Sequence, residues 1–484
     1  MNTTPKTWQK SLFTLITGLS LFSATSGVQS QIIPDNTLGN ENSKFTPTGV
    51  KDLIEGGAIR GNNLFHSFSQ FNINNNQQVY FTNPNGINNI LTRVTGNNIS
   101  NIFGTLGVNG NANLFLINPN GIIFGQNAKL DVKGSFLAST APSIKFADNT
   151  LFSAKDTSTT PLLTMSVPVG VQWGNNPTGD ITNNGNLSTG KDLTLSGRNL
   201  NIKEATLQTG GNLTLESQSK IKIEDSINKP VILKSAGHIT IQGNQSVEIN
   251  TLNNSNSKIT SDRDIVFRSP VRLLSNANYT VGGYFTTEDL NENVIDFIIP
   301  HNKVIKVNGD ITLGNYTGSS LYILASGKVT TGNITINATD NKTISQNISN
   351  GQGGNQTVTI NSKSDVGILD VRAGIDEQKL PGVLENNPIL PSGVTATFNN
   401  TTTGDITGNN ITNRGGNVLL TNQYKPNGNL IASKNIRVGN INNSLSDGRN
   451  GGAIALIAGG NITTKDLRSY SFSFFGQTGN GGDI

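Results

Sequence analysis

A five-residue phrase recurs through this chain: a glycine, a variable residue, Leu or Ile, Thr, and Leu or Ile again. It reads Gly211-Asn-Leu-Thr-Leu215, Gly237-His-Ile-Thr-Ile241, Gly309-Asp-Ile-Thr-Leu313 and Gly332-Asn-Ile-Thr-Ile336, with Gly190-Lys-Asp-Leu-Thr-Leu195 as a longer variant. Neighbouring copies lie 21 to 26 residues apart where the pattern is clean. Period-2 alternation after a turn signal is a strand pattern, and its return at that interval is the mark of a solenoid with one coil per repeat. The coil is a β-helix rung. A lone rung buries too little apolar surface to offset the ordering of its backbone, so rungs must stack, growth needs a template, and open ends need a cap. With strands about 4.8 Å apart and about 21 to 24 residues per rung, some 450 residues predict a rod on the order of 90 to 100 Å long.

Composition agrees. Only 34% of the 484 residues are hydrophobic and 14% charged, 54 are glycine, and about one in seven is Asn. Neither a thick globular core nor a charged helix bundle fits. The net charge is +4, but the 35 basic residues are scattered among 31 acidic ones without a basic stripe, which argues against nucleic-acid binding. Residues 1–30 read as a secretory signal peptide: Lys6 and Lys10, the apolar stretch Leu12 to Phe22, then small residues. That stretch is about half the roughly 20 residues a spanning helix needs. The absence of Cys excludes both a lipid-anchoring thiol and a disulfide framework.

Two identical turn signals lie near the start, Asn83-Pro-Asn-Gly86 and Asn118-Pro-Asn-Gly121, 35 residues apart. In the second, Pro119 suits position i+1 of a β-turn, Asn120 suits i+2, and Gly121 accepts positive φ at the exit. Each joins two short apolar strands. Two stretches, near 275–302 and 365–391, interrupt the rung pattern and are expected to form loops or extra hairpins. Their carboxylates, Glu288, Asp289, Glu292 and Asp296 in the first and Asp365, Asp370, Asp376 and Glu377 in the second, could hold a cation, although solvated loop charge is the simpler reading. Gly481-Gly-Asp-Ile484 reads as the opening of a further rung, so the chain is expected to continue beyond it.

Four stretches between Gln31 and about Ala141 stand out: Gln31-Ile-Ile-Pro-Asp35, Asn83-Pro-Asn-Gly86, Arg93-Val-Thr-Gly96, and Asn113-Leu-Phe-Leu-Ile-Asn-Pro-Asn-Gly-Ile-Ile-Phe-Gly125 leading into Gly134-Ser-Phe-Leu-Ala138. On these residues the segment resembles the N-terminal secretion domain of two-partner secretion exoproteins of the filamentous-haemagglutinin type. Leu369-Asp-Val-Arg-Ala-Gly374 and Leu420-Thr-Asn-Gln-Tyr424 look like the repeats of large cyanobacterial-type members. Many members carry NPNL at the first turn, where this chain repeats NPNG. The resemblance implies a right-handed parallel β-helix with an N-terminal capping region, Sec export to the periplasm, and passage through an outer-membrane β-barrel transporter whose periplasmic domains recognise the N-terminal module.

The expected organisation is a signal peptide over 1–30, a secretion (haemagglutination activity) domain over 31–150, and β-helical repeats over 151–484. Asn83, Pro84, Asn85, Gly86, Asn118, Pro119, Asn120 and Gly121 are the expected transporter-recognition or turn residues. No catalytic constellation or cofactor motif is present: His66, His238 and His301 are far apart in sequence, and no HExxH, GxSxG or P-loop pattern occurs. The expected product is a secreted or surface-exposed adhesin meeting a carbohydrate or another cell. The alternative is an extracellular β-helix polysaccharide lyase or glycosidase, whose carboxylates would sit on adjacent rungs.

Overall fold

The computed structural model describes residues 32–471 and Ile484, apart from 158–162, 271–272, 300–302, 338–342, 350–354, 362–365, 375–403, 423–433 and 446–449. The expected signal peptide lies outside the described residues. The protein is all-β, and three long sheets of stacked parallel strands form a β-helix.

Antiparallel pairing opens the chain. Strand β1 (Ile32–Pro34) runs antiparallel to β5 (Asn63–Phe71), β2 (Ser43–Thr46) to β3 (Asp52–Gly56), and β4 (Ala58–Arg60) folds back on β5. These pairs cover the edge that a parallel stack would leave open, and so cap it. Parallel addition then begins, with β6 (Gln78–Thr82) on β3 and β7 (Asn89–Val94) on β5. From β7 the chain turns from the first sheet into the second at β8 (Ser100–Ile102), into the third at β9 (Thr105–Asn109), and back to the first at β10 (Asn113–Ile117).

Register follows the alternation. Leu64, Ile90, Leu114, Phe136, Leu193, Leu213 and Ile239 stack in one column of the first sheet, all buried inside the coil. The Thr of each phrase lies between two inward residues and faces outward, as at Thr194, Thr214 and Thr240. Among the described residues the first sheet stacks fourteen parallel strands from β5 to Ile462–Thr463, a height of about 60 Å. That is shorter than the sequence predicts, because an outer sheet and a separate hairpin take up residues without extending the coil.

One such segment is a three-stranded antiparallel sheet outside the coil, made of β14 (Ser143–Phe146), β15 (Leu151–Ser153) and β16 (Pro168–Gln172). It packs on the outer face of β5, β7 and β10. There Phe65, Leu91 and Ile117 meet Ile144, Phe146 and Phe152 in a second apolar cluster. A further hairpin, Thr343–Ser349 with Asn355–Asn361, stands apart from the three sheets.

The interruption expected near 275–302 is corrected. Leu273–Asn276, Tyr279–Val281, Phe285–Glu288 and Phe297–Ile299 continue all three sheets in register. Tyr279, Phe285 and Phe297 take the inward places that Ile and Leu occupy elsewhere, so the alternation persists with aromatic residues. Among the described residues of this stretch, only the short acidic run between Glu288 and Phe297 leaves the coil. In the other stretch, Ile368–Arg372 is a third-sheet strand, whereas 375–391 lies outside the described residues.

The candidate secretion module: cap, turns and buried charge

The two NPNG turns do not stack on one another. The first follows β6 and carries the chain from the third sheet to the first, whereas the second follows β10 and leads from the first sheet into the second, at β11 (Ile122–Phe124). Their 35-residue separation is a rung plus one side of the coil: β7 and β10 pair Asn89 with Asn113, 24 residues on.

The same four residues also make different turns. In the second, the Gly121 N–H donates to the Asn118 carbonyl at 3.1 Å, so Pro119 and Asn120 are the central residues, as the sequence predicts, and Gly121 has φ +134°. In the first, the Ile87 N–H donates to the Pro84 carbonyl at 3.2 Å, which makes Asn85 and Gly86 central, with Gly86 at φ +83°. Positive φ at i+2 is the type II requirement that glycine meets.

Their surroundings differ more. Asn118, Pro119 and Gly121 are buried. The Asn118 amide donates to the Asn98 carbonyl (3.0 Å) and to Ser100 Oγ (2.9 Å), its Oδ1 accepts from the Asn120 N–H (3.0 Å), and the Asn120 amide reaches the Gly96 carbonyl (2.7 Å). A Cβ on Gly121 would press on Ile99 and the Asp180 carbonyl. In contrast, Pro84, Asn85 and Gly86 are exposed. They form one wall of an open polar groove of about 710 Å³, whose other wall is Asn109 to Asn113 with Lys191 at the rim. Only Asn83 is tied down: its Oδ1 accepts from the Asn111 and Ala112 N–H groups at 3.1 and 3.0 Å on the next rung.

Between the cap and the outer sheet lies a buried charge that sequence reading quoted but assigned no role. Arg93 is fully buried on the outer face of β7. Its Nε donates to Ser67 Oγ (2.9 Å), one terminal nitrogen to Thr37 Oγ1 (2.8 Å) and the other to the Ser153 carbonyl (2.5 Å), with the guanidinium over the Phe152 ring. The two hydroxyls pass the interaction on, because Thr37 and Ser67 donate to the Asp35 carboxylate at 2.6 and 2.8 Å, joined by Thr95 at 2.5 Å. Burial alone would push the Asp35 carboxyl up, but these hydroxyl donors and the Thr37 amide outweigh it and hold the group below the usual range. Burial likewise lowers Arg93, to about 10, against the opposing pull of Asp35. A guanidinium with three differently placed acceptors joins the first strand, β5 and the outer sheet in one network, which a lysine could not reproduce.

The expected loop carboxylates do not gather around a cation position. Glu288 and Glu292 share Arg268 at 2.7 and 3.8 Å, Asp289 accepts from Asn291 and Asn293 within its own loop, Asp296 accepts from Asn315, and Asp370 forms a buried pair with Arg372 at 2.6 Å. Asp365, Asp376 and Glu377 lie outside the described residues, as does His301. Among the described residues no three His, Asp or Glu side chains converge as a metal site, and no helix is long and apolar enough to cross a membrane.

A β-helix closed at its start by antiparallel strands and an outer sheet, with its turn signals gathered in the first rungs, is the architecture of a two-partner-secreted exoprotein. Residues 30–287 match the family model of the TPS secretion domain, more than half of the chain, and the chain belongs to that family. Two solved structures are similar to it. The HMW1 secretion domain from Haemophilus influenzae shares 16% identity over 90% of this chain and 100% of that one, with a TM-score of 0.35. The filamentous hemagglutinin secretion domain shares 15% identity over 63% of this chain and 96% of that one, with a TM-score of 0.31. No curated protein matches. Family membership gives a secreted or surface-exposed exoprotein, a cognate outer-membrane transporter as partner, and a secretion module of a non-enzymatic class.

Proposed function

We propose that the cap and first rungs serve as both secretion signal and folding template, with the tasks divided between the two NPNG turns. The carrying observation is that one tetrapeptide is exposed at one corner and buried at the other. The first turn offers Pro84 and Asn85 to a partner while the fold makes little use of their side chains. An extended segment flanking such a turn can add to a sheet edge on the transporter's periplasmic domains before it folds. The second turn fixes the corner on which later rungs stack. Export runs through Sec and the periplasm, and folding of the emerging chain on this template supplies direction where no ATP is present. Beyond the module, the rod presents its polar outer faces as an adhesin to a carbohydrate or another cell surface. No observation among the described residues favours the lyase or glycosidase alternative.

The test is secreted yield with the cognate transporter, alongside refolding of the purified protein. Pro84→Ala/Asn85→Ala is expected to reduce secretion about tenfold and leave refolding unchanged, whereas Asn118→Ala and Gly121→Val impair both, through lost buried hydrogen bonds and forbidden φ. Full secretion of the Pro84→Ala/Asn85→Ala protein would remove the recognition role.

A further inference from the structure

We propose that columns of Asn and Asp side chains at two corners of the coil, unbroken from Asp296 to Asp466 at one and recurring with gaps at the other, specify the register in which the rungs they link join the stack. The hydrophobic pattern cannot do this alone. A slip of one residue turns the apolar face outward, but a slip of two restores the alternation and goes unnoticed by burial. A second mark is therefore required.

At the corner entering the second sheet, the column runs Asp296, Asn315, Asn333, Asn410, Asn440, Asp466. Each residue's backbone N–H donates to the Oδ1 of the one before it, at 3.3, 2.8, 3.1, 2.9 and 3.1 Å in turn. A second set stands at the corner entering the first sheet. There the N–H groups of Asn212, His238, Tyr284, Lys328, Asn435 and Asn461 donate to Asp192, Asn212, Asp264, Asp310, Asp405 and Asn435 at 2.7 to 2.9 Å.

Three features make these columns a register mark. In every link the acceptor belongs to the earlier rung and the donor to the later, so a finished rung presents an acceptor to the chain that follows. The links also ignore the length of what intervenes: Asn333 and Asn410 are 77 residues apart in sequence, Asp405 and Asn435 only 30. Finally, the later rung is shaped to be read. At the first-sheet corner the residue before the donor is Gly211, Gly237, Gly283, Gly327 or Gly460, and a Cβ at each would fall within 3.0 Å of the acceptor oxygen it meets. After His238, which accepts no such bond, the place is taken by Arg263, whereas after Tyr284 and Lys328, which also accept none, it is Gly309 and Gly404, so the glycine is compatible with the link rather than confined to it. Lys434, opposite Asp405, is the exception. The first NPNG turn uses the same device, since Asn83 reads the next rung at Gly110-Asn111.

The reading rests on template-directed folding only for its timing, so the test omits the transporter. The chain has no cysteine. Thr335 and Thr412 are in-register neighbours, and Thr335→Cys/Thr412→Cys reports correct pairing on oxidative refolding, while Thr335→Cys/Arg414→Cys reports a two-residue slip. Adding Asn333→Ala is expected to lower the in-register disulfide about threefold and raise the slipped one, with amide exchange at Asn410 about tenfold faster; Asn333→Asp, which keeps an acceptor, restores both. Should Asn333→Ala fail to fold, Asn410→Ala read by Thr412→Cys/Asn442→Cys for correct pairing and Thr412→Cys/Ser444→Cys for the slip asks the same question one link on. An unchanged in-register yield with no slipped product at either link overturns the proposal, whether or not folding drives export.

Discussion

His66 lies fully buried in β5, its ring against Phe68 and Phe81, with Nδ1 bonded to Ser43 Oγ at 3.0 Å and Nε2 facing no partner. Burial lowers its pKa to about 3, so the folded cap holds a neutral imidazole. The unfolded chain titrates near the ordinary histidine value. The stabilisation is therefore complete above about pH 6.5, and is lost as pH falls from there toward about 3, because only the unfolded state takes up the proton. Unfolding free energy from urea titration should drop by up to about 1.4 kcal/mol per pH unit between pH 6 and 4, and His66→Phe should remove most of that slope. The same slope in the variant would place the titrating group elsewhere. None of this was legible in the sequence, where His66 is one of three unrelated histidines; its meaning comes from the strand that happens to cap it.

Among elements, the rungs were the most legible and the outer sheet the least. Gly-x-Ile-Thr-Ile encodes its strand, its facing and its turn locally, so period and side-chain direction could be read before any contact was known. Asn63-Leu-Phe-His-Ser-Phe68 could not, because apolar residues on both faces of one strand, Leu64 and Phe68 inward and Phe65 outward, say that both faces are covered without saying by what. The cover is β14 to β16, with Phe152 set edge-on to Phe65 at 5.0 Å and under the Arg93 guanidinium. Phe152→Ala should cost about 3 to 5 kcal/mol in the unfolding of the N-terminal module, and hydrogen exchange should show β14 to β16 exposed while the strands at Leu213–Ser217 stay protected. Loss of protection throughout would mean the outer sheet is part of the template itself. The turns were half legible: NPNG announces a turn in both places, but the corner each occupies, and hence which central pair forms, depends on the strands that flank it.

At the scale of the whole molecule, the protein is a stack in which each rung contacts mainly its neighbours, so its stability should spread along the axis and its folding should have a direction. Sequence periodicity gave the solenoid but overstated its height, since residues that leave the coil look locally like residues within it. The central claim is that the capped first rungs are the template for all the rest. Pulsed hydrogen exchange during refolding tests it most directly, comparing the parent protein with Arg93→Met, which cuts the network between Asp35, Ser67 and Ser153, and with Ile436→Ala, a core truncation near the far end. The account predicts that Arg93→Met delays protection of every downstream rung together, Leu213–Ser217 and Ile436–Arg437 alike, whereas Ile436→Ala leaves Leu213–Ser217 at the parent rate. Downstream rungs gaining protection at the parent rate while the cap of the Arg93→Met protein stays unprotected would contradict it.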